Sequence, residues 1–452
     1  MFLYFFLVIS IFWILKPLKK ALFVGYYNAH HIGSLDGPEV EQLAKVGNML
    51  VAFIAVVAFT MLARRYHRHQ LTLIFSVFSV AVLVFFAFAI GSPDIVLYPV
   101  REGKAPLALK AVSVESAGDV ISWAFYLFGD LFNTLMVATF FAFLNDSVRP
   151  DDAKRLYGPI VLGGVAGGAI GSSFLRVLID DLSTSQWMLV CTGMTLLVGV
   201  IGLAAGKIVD RQQAEPVTAK PAETKEDKPA QSSAAVEGAK LVLKSRYLLS
   251  IVVIVGLYEI VSTILDFQFT ATVYGLMSGD EAREQISTVY AITNWVGLAI
   301  QIFATTFVME RFGIKIALMV MPIAIMGNSG AFLILPILWV GSFLNTTDNG
   351  LNYSLNQSSR EALWTPTSRD EKYKAKAFID MFVQRFAKAI AVGINLVMSA
   401  VFAAKEGSKE LGAGIRLLSL FAIGLTLIWL FAARYAGKQF EEMTKSDKDK
   451  AD

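Results

Sequence analysis

Apolar residues along this chain come in blocks of about twenty, each ended by charge, Gly or Pro, and a helix of that length matches the roughly 30 Å hydrocarbon core of a bilayer. Twelve such blocks are predicted as helices, over residues 2–27, 41–63, 70–91, 118–145, 157–179, 185–206, 247–273, 286–309, 314–333, 336–359, 373–404 and 412–434. The opening stretch MFLYFFLVISIFWIL has no basic leader and no small-residue cleavage site before Lys16, so it reads as a retained first helix. Between the sixth and seventh blocks, residues 207–246 are rich in Ala, Pro, Lys and Glu and nearly free of large apolar side chains. That composition cannot bury a core and predicts a mobile linker. The expected division is a six-helix bundle over 1–206, a cytoplasmic linker over 207–246, a second six-helix bundle over 247–435 and a cytoplasmic tail over 436–452.

Composition sharpens this reading. Of 452 residues, 55% are hydrophobic and only 17% charged, whereas a soluble domain carries about 25% charged residues. A water-soluble enzyme is excluded. The expected fold class is an all-α membrane protein, its twelve transmembrane helices arranged as two pseudo-symmetric six-helix bundles. The formal charge of +3 is too small to argue for nucleic acid as a partner. The single cysteine, Cys191, allows no internal disulfide and is expected in a core. Sequence is silent on oligomeric state.

Cation placement gives an orientation. Loops on one side hold 26 Lys and Arg and those on the other hold 7, so the positive-inside rule places both termini in the cytoplasm, as expected for a multi-pass protein of a bacterial inner membrane. Two local echoes suggest an internal repeat. Asn145-Asp146-Ser147-Val148-Arg149 after the fourth helix parallels Asn356-Gln357-Ser358-Ser359-Arg360 after the tenth, and Arg64-Arg65-Tyr66-His67-Arg68 after the second parallels Glu310-Arg311-Phe312-Gly313-Ile314-Lys315 after the eighth. The latter resembles the basic loop motif of the major facilitator superfamily.

Seven cations fall inside predicted helices: Lys16, Lys19, Lys20, Lys45, Arg176, Arg385 and Lys388. Acids near mid-helix are Asp130, Glu259, Asp266, Asp348 and Asp380. A charge at a helix centre costs about 2.5–3.5 kcal/mol on insertion scales, so these groups are expected to face a wet cavity or one another. Lys45 and Arg176 lie near helix ends and are expected to snorkel. Lys16, Lys19 and Lys20 form one cationic face, and the fifteen residues before Lys16 are too few to span the hydrocarbon. Asp380, Gln384 and Lys388 repeat at four-residue spacing beside Arg385, which allows an Asp380–Lys388 ladder. Asn345, Asn349, Asn352 and Asn356 make a one-sided amide stripe that fits a polar lumen or helix–helix contact. Clustered ammonium groups and a guanidinium in a low-dielectric cavity favour an anionic substrate. Glu259 and Asp266, two turns apart, share a face and are candidate proton carriers.

Other constellations carry less. The pairs His30-His31 and His67/His69 are expected in loops on opposite sides, so no metal site and no cofactor is expected. Gly163, Gly164, Gly167, Gly168 and Gly171 lack the strand and the Lys-Ser/Thr of a phosphate loop; their spacing suits close helix contact at a rocking interface. No nucleophile motif or nucleotide-binding domain is present, so the chain is not expected to be an enzyme.

Four segments resemble one family: ILKPLKKALFV (14–24), VLYPVRE (96–102), FYLFGDLFNTLMVATFFAFLNDSVRPDDAKRLYGPIVLGGVAGGAIG (125–170) and YSLNQSSREALWTPTSRDEKYKAKAFIDMFVQRFAKA (353–389). They are similar to the ATP/ADP translocases of plastids and obligate intracellular bacteria, with the resemblance in register across both halves. It implies a twelve-helix nucleotide exchanger, major-facilitator-like, using two lysines and two acids. Those fall on Lys19, Asp130, Asp266 and Lys388, with both acids shortened to Asp. Lys20 and Pro17 stand where the family tends to have acids, and Thr270 and Asn352 where it has lysines. The expected substrate-binding set is therefore Lys19, Asp130, Asp266, Lys388, Arg385, Asn349 and Asn352, with Glu259 or Asp266 as coupling groups. Two further readings stay open: a proton-coupled porter of a different organic anion, and a non-transporting scaffold whose linker recruits a partner.

Overall fold

The computed structural model describes residues 1–29, 35–63, 65–91, 117–147, 150–214, 231–368, 371–402 and 413–448. The first helices are α1 (Phe2–Ala29), α2 (Gly37–Ala63), α3 (Arg68–Gly91), α4 (Ala117–Ser147), α5 (Pro150–Leu178), α6 (Thr184–Ala214) and α7 (Gln231–Lys244). They are followed by α8 (Arg246–Leu276), α9 (Gly279–Ala299), α10 (Thr306–Ile334), α11 (Leu338–Leu351), α12 (Gln357–Ala362), α13 (Gln384–Val401) and α14 (Ala413–Lys448). The segment VLYPVRE and the pair His30-His31 lie outside the described residues.

Several joints in the second half are π-helical rather than broken. Ile300–Thr305 links α9 to α10, Asn352–Asn356 links α11 to α12, and Glu371–Ala375 and Ile379–Val383 flank a short turn that leads into α13. Such wide turns displace side chains relative to an α-helix and recur at functional positions. Gly313, at φ 80° and ψ 167°, divides α10 where only glycine tolerates the backbone. With that division, ten passages among the described residues are long and apolar enough to cross a bilayer. The polar, π-interrupted runs Leu338–Ala362 and Glu371–Val401 make up the twelve.

Helix ends differ from the hydropathy reading. α6 continues to Ala214, α9 begins at Gly279 and α14 runs to Lys448, because loss of hydrophobicity marks the exit from the membrane rather than the end of the hydrogen-bonded helix. The segment expected as a mobile linker also contains structure. Its last part is α7, whose Glu237 pairs with Lys374 at 2.8 Å and whose Gly238 packs on the Lys374 carbonyl, where a Cβ would come within 2.3 Å.

Contacts group the chain into two units, Met1–Pro221 with Met277–Asn294, and Ala222–Leu276 with Trp295–Asp452. In the first unit α1 packs against α2, α4, α5 and α6, and α3 against α6. The core is strongly aromatic, with Phe5 stacked on Phe140 at 4.3 Å and Tyr4 edge-on to Phe140 at 5.1 Å. Cys191 is buried there, as expected. The glycine stripe of α5 lies against α1, so its close approach is internal to this unit and is not the rocking interface that its spacing suggested. Arg176, a third exposed, donates from its Nε to Thr288 Oγ1 at 2.6 Å, and its NH2 pairs with Glu284 on α9. In the second unit α8 packs against α11, α13 and α14, and α10 against α14.

Candidate functional site

α1 carries its lysines into the interior because its whole circumference is apolar and surrounded, leaving Lys19 and Lys20 both about 5% exposed. Buried ammonium groups require counterions. Lys19 Nζ meets Asp130 Oδ1 of α4 at 2.5 Å, and the amide of Asn48 on α2 donates to Asp130 Oδ2. The Tyr126 ring faces Lys19 Nζ at 4.6 Å from its centroid, a contact worth up to about 2 kcal/mol when desolvated. Lys20 meets Glu41 of α2 at 3.5 Å, and Glu41 Oε1 also accepts the Tyr126 hydroxyl at 3.1 Å. One turn earlier, Lys16 lies over the rings of Trp13 at 4.3 Å and Tyr290 at 4.8 Å.

Gly129 makes room for this arrangement. A Cβ there would sit 2.6 Å from Lys19 Cδ, in the middle of the side chain rather than at its tip. Gly129→Ala is expected to push Lys19 off Asp130 and lower transport at least about tenfold, at an overpacking cost of about 1–3 kcal/mol. Initial transport rates read beside the melting temperature of the purified protein check it. Unchanged rates in a folded variant would contradict this geometry.

In the second unit, Lys388 of α13 lies 3.4 Å from Glu259 of α8, with the acid 11% and the lysine 48% exposed. On the stripe that carries Lys388, Asp380 accepts from Gln384 at 3.4 Å. Asp348 of α11, 1% exposed, accepts from Ser262 of α8 at 2.7 Å. Asp266 is half-buried two turns beyond Glu259, and Arg385 is half-buried beside Lys388. Asn349 donates to the Asn345 carbonyl at 3.1 Å, and Asn352 Oδ1 accepts from Asn356 at 3.2 Å within the π turn. The guanidinium of Arg360 covers the Tyr258 ring at 5.1 Å. His67 and His69 stack their rings at 5.9 Å near the α2–α3 turn.

The two units therefore hold ion pairs of opposite accessibility. In the first, Lys19 is buried and Asp130 is 39% exposed; in the second, Glu259 is buried and Lys388 is open. Sequence reasoning did not single out Glu41, Asn48, Tyr126 or Tyr290. Glu41, Lys45 and Asn48 recur at i, i+4 and i+7, which is a polar stripe on an apolar helix and was a usable signal. Tyr126 and Tyr290 gave none.

The profile of the TLC ATP/ADP transporter family matches residues 1–338 and 327–440. The chain belongs to this family. Among curated relatives it is 24% identical to ADP,ATP carrier protein 2 of Chlamydia trachomatis serovar D, over 92% of this chain and 84% of that one. It is 20% identical to ADP,ATP carrier protein 1 of Rickettsia bellii, over 87% and 85%, and 23% identical to the plastidic ATP/ADP-transporter of Solanum tuberosum, over 82% and 63%. In fold it is similar to a variant of the nucleoside transporter NupG, with TM-score 0.61 and 12% identity over 96% of this chain and 99% of that one. A D-xylose-proton symporter aligns with TM-score 0.57 and 13% identity over 94% and 96%. The fold is major-facilitator-like, as the twelve-helix reading expected. The TLC family's members so named are transporters.

Proposed function

We propose that this chain is a secondary carrier that exchanges nucleotides of the ATP/ADP type by alternating access of two six-helix bundles, and is not an enzyme. The observation that carries this reading is the pair of ion pairs at membrane depth, Lys19–Asp130 and Lys388–Glu259, in a chain of the TLC family. A phosphate oxygen is chemically equivalent to a carboxylate oxygen as an acceptor for an ammonium group. A substrate phosphate thus replaces a carboxylate at each lysine without leaving a buried charge bare. Lys388, being open, makes first contact. Asp130 and Glu259 hold the cations in the empty carrier, while Arg385, Asp266, Asn349 and Asn352 contribute further contacts to phosphate, ribose or base. We place the protein in a bacterial cytoplasmic membrane with both termini inside, on its cation distribution.

Uptake of radiolabelled ATP or ADP into proteoliposomes tests the proposal. Exchange predicts uptake that depends on internal nucleotide and survives collapse of the pH gradient. No uptake at any internal load would reject it, and uptake abolished by collapsing the gradient would favour proton coupling through Glu259 or Asp266.

A further inference from the structure

Lys20–Glu41 is a deeply buried ion pair, at 5% and 2% exposure. Glu41 Oε1 is shared between Lys20 and the Tyr126 hydroxyl, whereas Oε2 is buried with no hydrogen-bond donor. Tyr126 also touches the neighbouring pair, its ring under Lys19. One side chain of α4 therefore touches Lys19 by its ring and, by its hydroxyl, the carboxylate that holds Lys20. The two pairs differ in one respect that matters for an incoming anion. Asp130 is partly open and exchangeable, while Glu41 is sealed in and neutralises Lys20 from within.

From this arrangement we infer that the Lys20–Glu41 pair, held by Tyr126, fixes the number of negative charges the first unit accepts from a polyphosphate anion. Glu41 occupies the place at Lys20 that a further phosphate group would otherwise take. This rests on the nucleotide reading only in taking a polyphosphate as the cargo. With Glu41 ionised, Lys20 presents no net charge to the substrate, which meets Lys19 with Lys16 one turn away. Loss of that carboxylate adds one positive charge to the buried face of α1, which favours a longer, more highly charged anion. Glu41 and Lys20 are then specificity-determining residues, and Tyr126 is a positioning residue.

The test is thermal stabilisation of the purified full-length protein by orthophosphate, pyrophosphate, tripolyphosphate, ADP and ATP, each titrated to an apparent affinity. Glu41→Gln keeps the size and an acceptor for Tyr126 while removing the charge. It is expected to raise the preference for tripolyphosphate over pyrophosphate, and for ATP over ADP, by about tenfold. Tyr126→Phe keeps the ring at Lys19 and is expected to move both ratios the same way by less. The double variant Lys20→Met/Glu41→Gln removes both charges and is expected to return the ratios to those of the parent protein. Affinities that change in parallel for all five anions, leaving the ratios fixed, would overturn the inference. If Glu41→Gln does not fold, fixed ratios in Tyr126→Phe overturn it equally. Parent protein stabilised by the inorganic polyphosphates but by neither nucleotide would reject the nucleotide reading and leave the ratios to decide this one; no stabilisation by any of the five rejects both.

Discussion

Lys19→Met is expected to reduce exchange by about 100-fold or more while the protein still folds. The loss of transport follows from the position of the ammonium, which faces both Asp130 and the Tyr126 ring in the interior of the first unit. Truncating one partner of a buried charge pair costs about 2–5 kcal/mol at the step that uses it, which is roughly thirty-fold to several thousand-fold in rate or affinity. Stability falls less, by about 1–3 kcal/mol, because the acid left behind is 39% exposed and keeps the Asn48 amide. The double variant Lys19→Met/Asp130→Leu removes the orphaned carboxylate and is expected to recover most of the melting temperature but none of the transport. That split separates a substrate-binding lysine from a structural one. Exchange by Lys19→Met within threefold of the parent rate would remove Lys19 from the site.

Gly167→Ala is expected to do the opposite, destroying the fold without touching a charge. Along α5, a Cβ on Gly167 would lie 2.3 Å from the Phe6 carbonyl oxygen, and one on Gly171 would lie 2.7 Å from the Ser10 Cα. Both obstacles are backbone of α1, so relief requires the helices to separate. Separation also breaks the bond from the Ser10 hydroxyl to the Gly167 carbonyl at 3.0 Å. Without a hydrophobic force between helices in lipid, this close packing is what holds α1 in place, and a loss of about 3 kcal/mol or more is expected. The readout is the yield of monodisperse protein and its unfolding temperature in detergent. Gly193→Ala on α6, where nothing lies within 4 Å of the added carbon, serves as control and is expected to be neutral or slightly stabilising. Equal behaviour of the two variants would show that α1 and α5 do not pack as described.

Much of the architecture was legible from hydropathy because burial in a bilayer demands long, uninterrupted apolar runs, and every helix of the first six was placed that way. Legibility failed where polar helices extend beyond the membrane. α7 has Ala, Ser and Lys positions that no apolar run marks, yet it is helical and docked on Lys374. For the charges, two of the lysines read from the sequence, Lys19 and Lys388, lie in ion pairs in the structure. Lys19 with Asp130 joins residues more than a hundred positions apart, and only the family resemblance connected them. For Lys388 the spacing on its own helix offered Asp380 as a partner, and the resemblance set Asp266 beside it in the site. In the structure Lys388 meets Glu259 of the neighbouring α8 at 3.4 Å. Partners across helices depend on rotation and depth, neither of which a single chain's periodicity records. The asparagine stripe was visible as a pattern, but the π turn at Asn352–Asn356 shifts its lower members, and a regular spacing rule has no term for that change.

The helix α9 does not keep to the chain order of its neighbours. Its residues up to Asn294 group with Met1–Pro221, tied by Arg176 to Glu284 and Thr288, by Arg283 to the Ile179 carbonyl, and by Asn294 to Ser172, while Trp295 onward groups with the rest of the second half. A gene cut at the apparent midpoint would thus yield one fragment that is short and one that is long: the amino-terminal piece would leave a raw flank along α5, and the carboxy-terminal piece would trail an unclaimed segment. Duplication of an ancestral six-helix unit, which the internal echoes suggest, is on this view no longer reversible by scissors, since one copy has come to lend the other a structural member.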